Sequence, residues 1–266
     1  MPCHADVNLF IIGVQKGGTT ALHRMLTAHP EIASGRRKEL HFFDDEQRDW
    51  QAGTLSDIES HFDAVAGRAR YRLDATPIYC FWPQSLARLH AYNPRARLCL
   101  MLRHPAYRAV SHWRMMRQRK VETLSFAEAI GREDRRDRGE TADLPSRSFS
   151  YVARGFYAPQ IRNLLALFDR DAVFIERTDR LWLDPVGTLH RMMGWLDLSP
   201  EPLADGPHVY DPPVDARQSG RVARAEIDRL SALYAADIRA TAKLSGVELT
   251  DWLSPDYRES MPSRIG

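Results

Sequence analysis

The sequence predicts an α/β protein in three layers, a central parallel β-sheet flanked by helices. Three observations point there. Apolar runs of strand length recur along the 266 residues, and stretches with helical apolar spacing separate them. Those runs are apolar at successive positions, as strands covered on both faces must be. The first run also breaks at Lys16-Gly17-Gly18-Thr19-Thr20 and passes straight into an amphipathic helix.

Taken in order, residues 9–14 form the first strand and 19–28 the helix that it feeds. Residues 70–74 read as a short second strand, closed by Thr76-Pro77. Residues 97–103 are a buried strand ending before His104-Pro105, with a helix over 106–119 after it. A helix over 157–168 carries Ile161, Leu164, Leu165 and Phe168 at helical spacing, and a strand over 172–176 follows. Residues 185–196 form a short helix. The last helix, 224–244, has Ile227, Leu230, Leu233, Tyr234 and Ile238 as its apolar stripe. The charged run Arg132 to Glu140 reads as a solvated segment or a flap near a substrate entrance, and Gly206 to Arg221 as a long loop. No repeat or low-complexity linker interrupts the chain, so residues 1–266 are expected to be one domain.

Composition narrows the function. Hydrophobic content is 44%, charged content 27%, and net charge only +2, which argues against a nucleic-acid binder relying on broad electrostatic attraction. The N-terminus lacks a signal-peptide pattern, no apolar run approaches membrane-spanning length, and three cysteines without Cys-x-x-Cys spacing suggest a reducing compartment. A cytoplasmic protein with no membrane partner is expected, its oligomeric state left open. Positive charge is mostly arginine; the only lysines are Lys16, Lys38, Lys120 and Lys243. A lysine in the first turn therefore looks chosen for its compact ammonium.

Three clusters carry chemistry. The glycine turn can bring backbone N–H groups, the Thr19 and Thr20 hydroxyls and a helix N-terminus to one anion. Lys16 precedes the glycines, whereas a nucleotide triphosphatase loop has lysine after them and a hydroxyl for magnesium. The second cluster, Lys38-Glu39-Leu40-His41-Phe42-Phe43-Asp44, sets two carboxylates, an imidazole and a lysine around an aromatic pair. If the phenylalanines anchor it in apolar surroundings, Glu39 is expected to have its pKa raised and to act as a base; the alternative is a solvated surface loop. In the third, Arg103 ends a buried strand and can present its guanidinium fork to a phosphate, with Ser111 two turns into the next helix. The alternative there is a strand-end arginine and a helix-face serine.

Together these stretches resemble the sulfotransferases that use 3′-phosphoadenosine 5′-phosphosulfate (PAPS), above all the heparan-sulfate-type carbohydrate enzymes and their bacterial relatives. Further matching stretches are Asp74-Ala75-Thr76-Pro77-Ile78-Tyr79, Arg154-Gly155-Phe156-Tyr157, Asp184-Pro185 and Gly246-Val247-Glu248-Leu249-Thr250-Asp251-Trp252. The resemblance implies a P-loop-like 5′-phosphosulfate-binding loop of Lys16, Gly17, Gly18, Thr19 and Thr20. It implies a 3′-phosphate site of Arg103 and Ser111, with Gly220-Arg221 as a late turn closing over it and Tyr157 as a further nucleotide contact. Glu39 falls at the position of the acceptor-deprotonating base, and His41 and Asp44 where relatives touch acceptor or assist it.

The implied reaction moves the sulfo group of PAPS, as co-substrate and without a metal, to a hydroxyl rather than an amine of a small, sugar-containing acceptor by in-line displacement. Lys16 would stabilise the departing oxygen, Glu39 would take the proton, and His41 would assist. The sequence departs from the heparan enzymes in two places: Ala75 stands where they carry a second lysine before Thr-Pro, and Thr20 where some carry arginine. No cysteine follows Cys99, so their disulfide-closed loop is not expected. Tyr79, Phe81, Trp82, Trp113 and Phe156 divide between core and ligand contact, with core the commoner fate. Two other readings remain open, a P-loop nucleotide kinase and a non-catalytic PAPS-binding sensor.

Overall fold

A computed structural model describes residues 6–52, 54–63, 69–133, 147–200 and 222–259. The chain falls into two compact units. The first draws on Met1–Val14, Gly18–Leu102 and Asn163–Tyr210, the second on Gln15–Gly17, Arg103–Arg162 and Asp211–Gly266.

The first unit holds a five-stranded parallel sheet: β1 (Leu9–Gly13), β2 (Ile32–Ser34), β3 (Tyr71–Asp74), β4 (Arg97–Leu102) and β5 (Val173–Arg177), in the order β2-β3-β1-β4-β5. Leu9 pairs with Leu73, Ile11 with Cys99 and Leu100 with Ile175, so β1 lies at the centre with crossovers leaving on both sides. Side chains alternate across the pleat. Leu9 and Ile11 join Leu22, Met25 and Leu26 of α1 (Thr19–Thr27) in one apolar cluster. Leu181, of a helix over Thr178–Leu183, and Leu189, Met192 and Met193, of a helix over Pro185–Trp195, complete that layer. Phe10 faces the other way and meets Phe43 edge-on at 6.0 Å; Phe43 in turn meets Tyr92 of α2 (Ser85–Tyr92) at 5.8 Å. The expected three layers are therefore present.

The second unit is helical. Its α3 (Pro105–Gln118) begins with proline at its first position and packs on a long helix, Arg224–Ser245, and on a 3₁₀ turn, Ala153–Gly155. A short helix, α4 (Phe126–Gly131), follows α3. In chain order the helices that follow are α5 (Tyr157–Leu167), α6 (Thr178–Leu183), α7 (Pro185–Trp195) and α8 (Arg224–Ser245); α6 and α7 are the two helices already described in the first unit. Gly155 is required in that 3₁₀ turn, because a Cβ there would lie 2.5 Å from the Tyr234 ring. Asp237 of α8 accepts from the Tyr157 and Ala158 amides, satisfying two donors at the start of α5.

The predicted strands and helices appear within one or two residues of their expected ends. Among the described residues, β2, α2, α4 and α6 are additions, as are the 3₁₀ turns. Cys99 is a buried β4 residue as expected, and burial pushes the thiols of Cys99 and Cys80 up, Cys80 to about 12. Among the described residues no helix is long and apolar enough to cross a membrane. Most of the charged run Arg132 to Glu140 and the loop Gly206 to Arg221 lie outside the described residues.

Candidate active site

In the first unit, β1 leads towards Gly18, which has φ 82° and precedes the first helical residue, Thr19. Only glycine suits it: the conformation is left-handed, and a Cβ would stand 3.0 Å from the Thr178 methyl. Neither an acidic residue nor a side-chain cap occupies the first turn of α1, so its N-terminus keeps its positive character. Thr19 is buried and Thr20 half-buried.

The segment after Ser34 is held from below by a buried hub. Asp74 at the end of β3 is 1% exposed and accepts from Thr76 Oγ1 and from Tyr79 Oη, both at 2.8 Å. Thr76 Oγ1 accepts from the Leu40 amide at 3.0 Å, and Tyr79 Oη from the Phe42 amide at 3.0 Å. Burial pushes the Asp74 carboxyl up to about 6 against these hydrogen bonds. The hub fixes the backbone around His41, which has φ 56°. In the sequence Asp74 and Thr76 stood out only within a stretch that resembles the family, and Tyr79 as core or ligand contact; the Asp-x-Thr-Pro spacing was the available signal for their bracing role.

On that base stands a linear array of charges. Lys38 Nζ lies 2.7 Å from Glu39 Oε1, Glu39 Oε2 lies 3.4 Å from His41 Nε2, and His41 Nδ1 lies 3.0 Å from Asp44 Oδ2. The expectation of a raised Glu39 pKa is overturned. Burial does push it up, but the hydrogen bond to His41 and the charge of Lys38 overrun burial and hold it at about 2. Hydrogen bonds to Asp44 and Glu39 raise His41 to about 9, against its partial burial, so Glu39 is a carboxylate flanked by two cations. Asp44 has no exposed surface and accepts from His41. Beside the array lies a cavity of about 430 Å³, lined by Arg37, Leu40, His41, Phe42, Arg48 and His61 among others.

The second unit carries the remaining candidates. Lys16 has φ 70°, its ammonium is 3.7 Å from Met115 Sδ of α3, and its carbonyl accepts from Arg103 Nη1 at 2.9 Å. Arg154, buried, donates to Gln15 Oε1 at 2.7 Å. Arg103 closes a bidentate pair with Glu259: Nε to Oε1 at 2.8 Å and Nη2 to Oε2 at 2.5 Å. Burial opposes the Arg103 charge, and the Glu259 carboxylate more than offsets it. Tyr157 is buried; its hydroxyl donates to the Arg103 carbonyl at 2.7 Å, so it braces Arg103. Ser111 is half-buried on α3.

Sequence reasoning missed a set of buried, unpartnered nitrogens on α3. Arg108 is fully buried with Nε and Nη1 unpartnered, His112 is buried with both ring nitrogens unpartnered, and Arg114 Nε is likewise buried and unpartnered. Burial, then the charge of Arg103, lowers Arg114; burial, then Arg154, Arg108 and Lys16, drives His112 well below its usual value. The guanidinium groups of Arg103, Arg108 and Arg114 suit a phosphate-bearing ligand. Gly220 and Arg221 lie outside the described residues.

Comparison with known proteins accords with this chemistry. The chain resembles the heparan sulfate glucosamine 3-O-sulfotransferase 3B1 of Mus musculus, 29% identical over 188 residues, covering 71% of this chain and 45% of that protein. The human 3-O-sulfotransferase 3B1 matches at the same identity and coverage, so the chain spans about half the length of the curated relatives it matches. A crystallised sulfotransferase from Alicyclobacillus acidocaldarius superposes with a TM-score of 0.76 at 28% identity, covering 93% of this chain and 98% of that one. The sulfotransferase domain from the curacin biosynthetic pathway shares the fold at 18% identity, with a TM-score of 0.54. The family described as Sulfotransferase domain matches residues 6–207, more than half of the sequence, and this chain belongs to it.

Proposed function

We propose that the protein transfers the sulfo group of PAPS to a hydroxyl of a small, sugar-containing acceptor, with Glu39 as the base. The observation that carries this reading is the array Lys38–Glu39–His41–Asp44, whose His41 lines a cavity of about 430 Å³. Family membership and the sugar-hydroxyl chemistry named for the mouse and human relatives support it.

In this reading Lys16 and the amides and hydroxyls of Gly17 to Thr20 hold the 5′-phosphosulfate, and Arg103 and Ser111 hold the 3′-phosphate. The bond from sulfur to the bridging oxygen breaks as the acceptor oxygen attacks in line, and Lys16 stabilises the charge that builds on the departing oxygen. A carboxylate held near a pKa of 2 is a weak base in the resting state. It becomes effective because the acceptor hydroxyl acidifies steeply as its oxygen bonds to sulfur, so proton transfer comes late. His41, kept protonated, orients Glu39.

The test is calorimetric titration with adenosine 3′,5′-bisphosphate without magnesium, beside ATP with magnesium, followed by an acceptor screen using sulfur-labelled PAPS. Binding of the bisphosphate and label transfer to a sugar hydroxyl are expected. Preference for magnesium–ATP would restore the kinase, and bisphosphate binding with no transfer to any acceptor would favour the sensor.

A further inference from the structure

Lys38 has no assigned role, yet it is one of four lysines in the chain and sits in the array beside Glu39. Its backbone is tied to the end of β3, where the Ala75 amide donates to its carbonyl at 3.3 Å. Ala75 is the position at which a heparan-type enzyme is expected to carry a lysine, and the Lys38 backbone lies beside it.

Lys38 meets the Glu39 carboxylate directly, Nζ to Oε1 at 2.7 Å. Its side chain is 23% exposed, buried enough to strengthen its field and open enough to meet a ligand. An ammonium has three donors, and one given to Glu39 Oε1 leaves two for other oxygens.

We propose that Lys38 is a further catalytic residue of the sulfo transfer, its ammonium contacting the non-bridging oxygens of the sulfo group as it passes to the acceptor. This rests on the sulfotransferase reading. As the acceptor oxygen–sulfur bond forms, the bond to the bridging oxygen breaks and that oxygen leaves with the electron pair; the acceptor proton goes to Glu39. Lys38 moves no proton. It holds the reacting group between base and donor, and shields the Glu39 carboxylate from the negative sulfo oxygens that would otherwise repel it.

The experiment compares Lys38→Met and Lys38→Arg with the wild type, reading bisphosphate release from PAPS with the acceptor that the wild type uses. Affinity for adenosine 3′,5′-bisphosphate, which has no sulfo group, is measured alongside. Lys38→Met is expected to lower turnover about 100-fold or more while leaving bisphosphate affinity within about threefold, and Lys38→Arg to restore part of the loss. The loss should persist from about pH 5 to about pH 9, because Glu39 is ionised throughout that range even without its lysine. Turnover within about threefold of wild type, recovery of Lys38→Met at high pH, or a parallel loss of bisphosphate affinity would each overturn the proposal. A wild type that binds the bisphosphate but transfers no sulfo group would overturn the enzyme reading itself.

Discussion

The segment 38–44 and the start of α3 both carry charge suited to an anion-handling reaction, and they manage it in opposite ways. In the first, cations and carboxylates alternate, Lys38, Glu39, His41, Asp44, and the buried hub of Asp74, Thr76 and Tyr79 satisfies the backbone beneath. In the second, Arg108, His112 and Arg114 keep buried nitrogens without partners, and Arg103 meets a carboxylate brought from residue 259. A balanced array keeps its geometry before any ligand arrives, as proton transfer requires. A surplus of buried donors is costly by itself and is relieved by an incoming anion, as nucleotide binding requires. Chemistry and binding are thus expected to separate cleanly on mutation.

The largest effect should come from the balanced array. Glu39→Gln is expected to lower turnover by about 10²–10⁴-fold and to leave affinity for adenosine 3′,5′-bisphosphate unchanged. A rate within a few-fold of wild type would break the comparison by removing the base. Arg103→Ala should do the converse, weakening bisphosphate binding by about 2–3 kcal/mol in calorimetry, with turnover restored at saturating donor. Unchanged affinity would remove Arg103 from the nucleotide site.

Glu259→Gln sharpens the same contrast. If the carboxylate competes with the 3′-phosphate for the guanidinium fork, bisphosphate should bind about three- to tenfold more tightly in the variant. Weaker binding would mean that Glu259 orients Arg103 instead.

The smallest effect is on pH dependence. His41, raised to about 9, contributes stability that is full below its unperturbed 6.5 and is lost as pH climbs through about 9. Glu39, lowered to about 2, contributes stability present above its unperturbed 4.5 and lost as pH falls through about 2. Turnover should therefore be level from about pH 5 to about pH 8 and fall near pH 9, and His41→Asn should abolish that alkaline step in the pH–rate profile.

Much of this was legible in the residues because the signals are local. The switch from strand to helix at Lys16–Thr20 follows from a change of apolar period and a glycine that no other residue replaces at φ 82°. The missed elements lack period: β2 has three residues and α6 has six, too few to repeat. The helix α4 did carry a signal, the capping box of Ser125 and Glu128, confined to one turn. Glu39, His41 and Asp44 were singled out by residue type and by the resemblance, and the structure brings their side chains together. The direction of the Glu39 shift was not legible, since burial and paired cations act on it with opposite sign.

The parallel α/β fold, the glycine turn and the membership of the charged segment 38–44 were all readable from the chain alone, because backbone period, glycine geometry and residue type are short-range properties. Tertiary structure alone decided how their charges are shared. It set Asp74 beneath Leu40, a separation of 34 residues, and Glu259 against Arg103, a separation of 156. Hydrogen bonds and Coulomb forces depend on distance in space and on exclusion of water, and chain order encodes neither for residues so far apart.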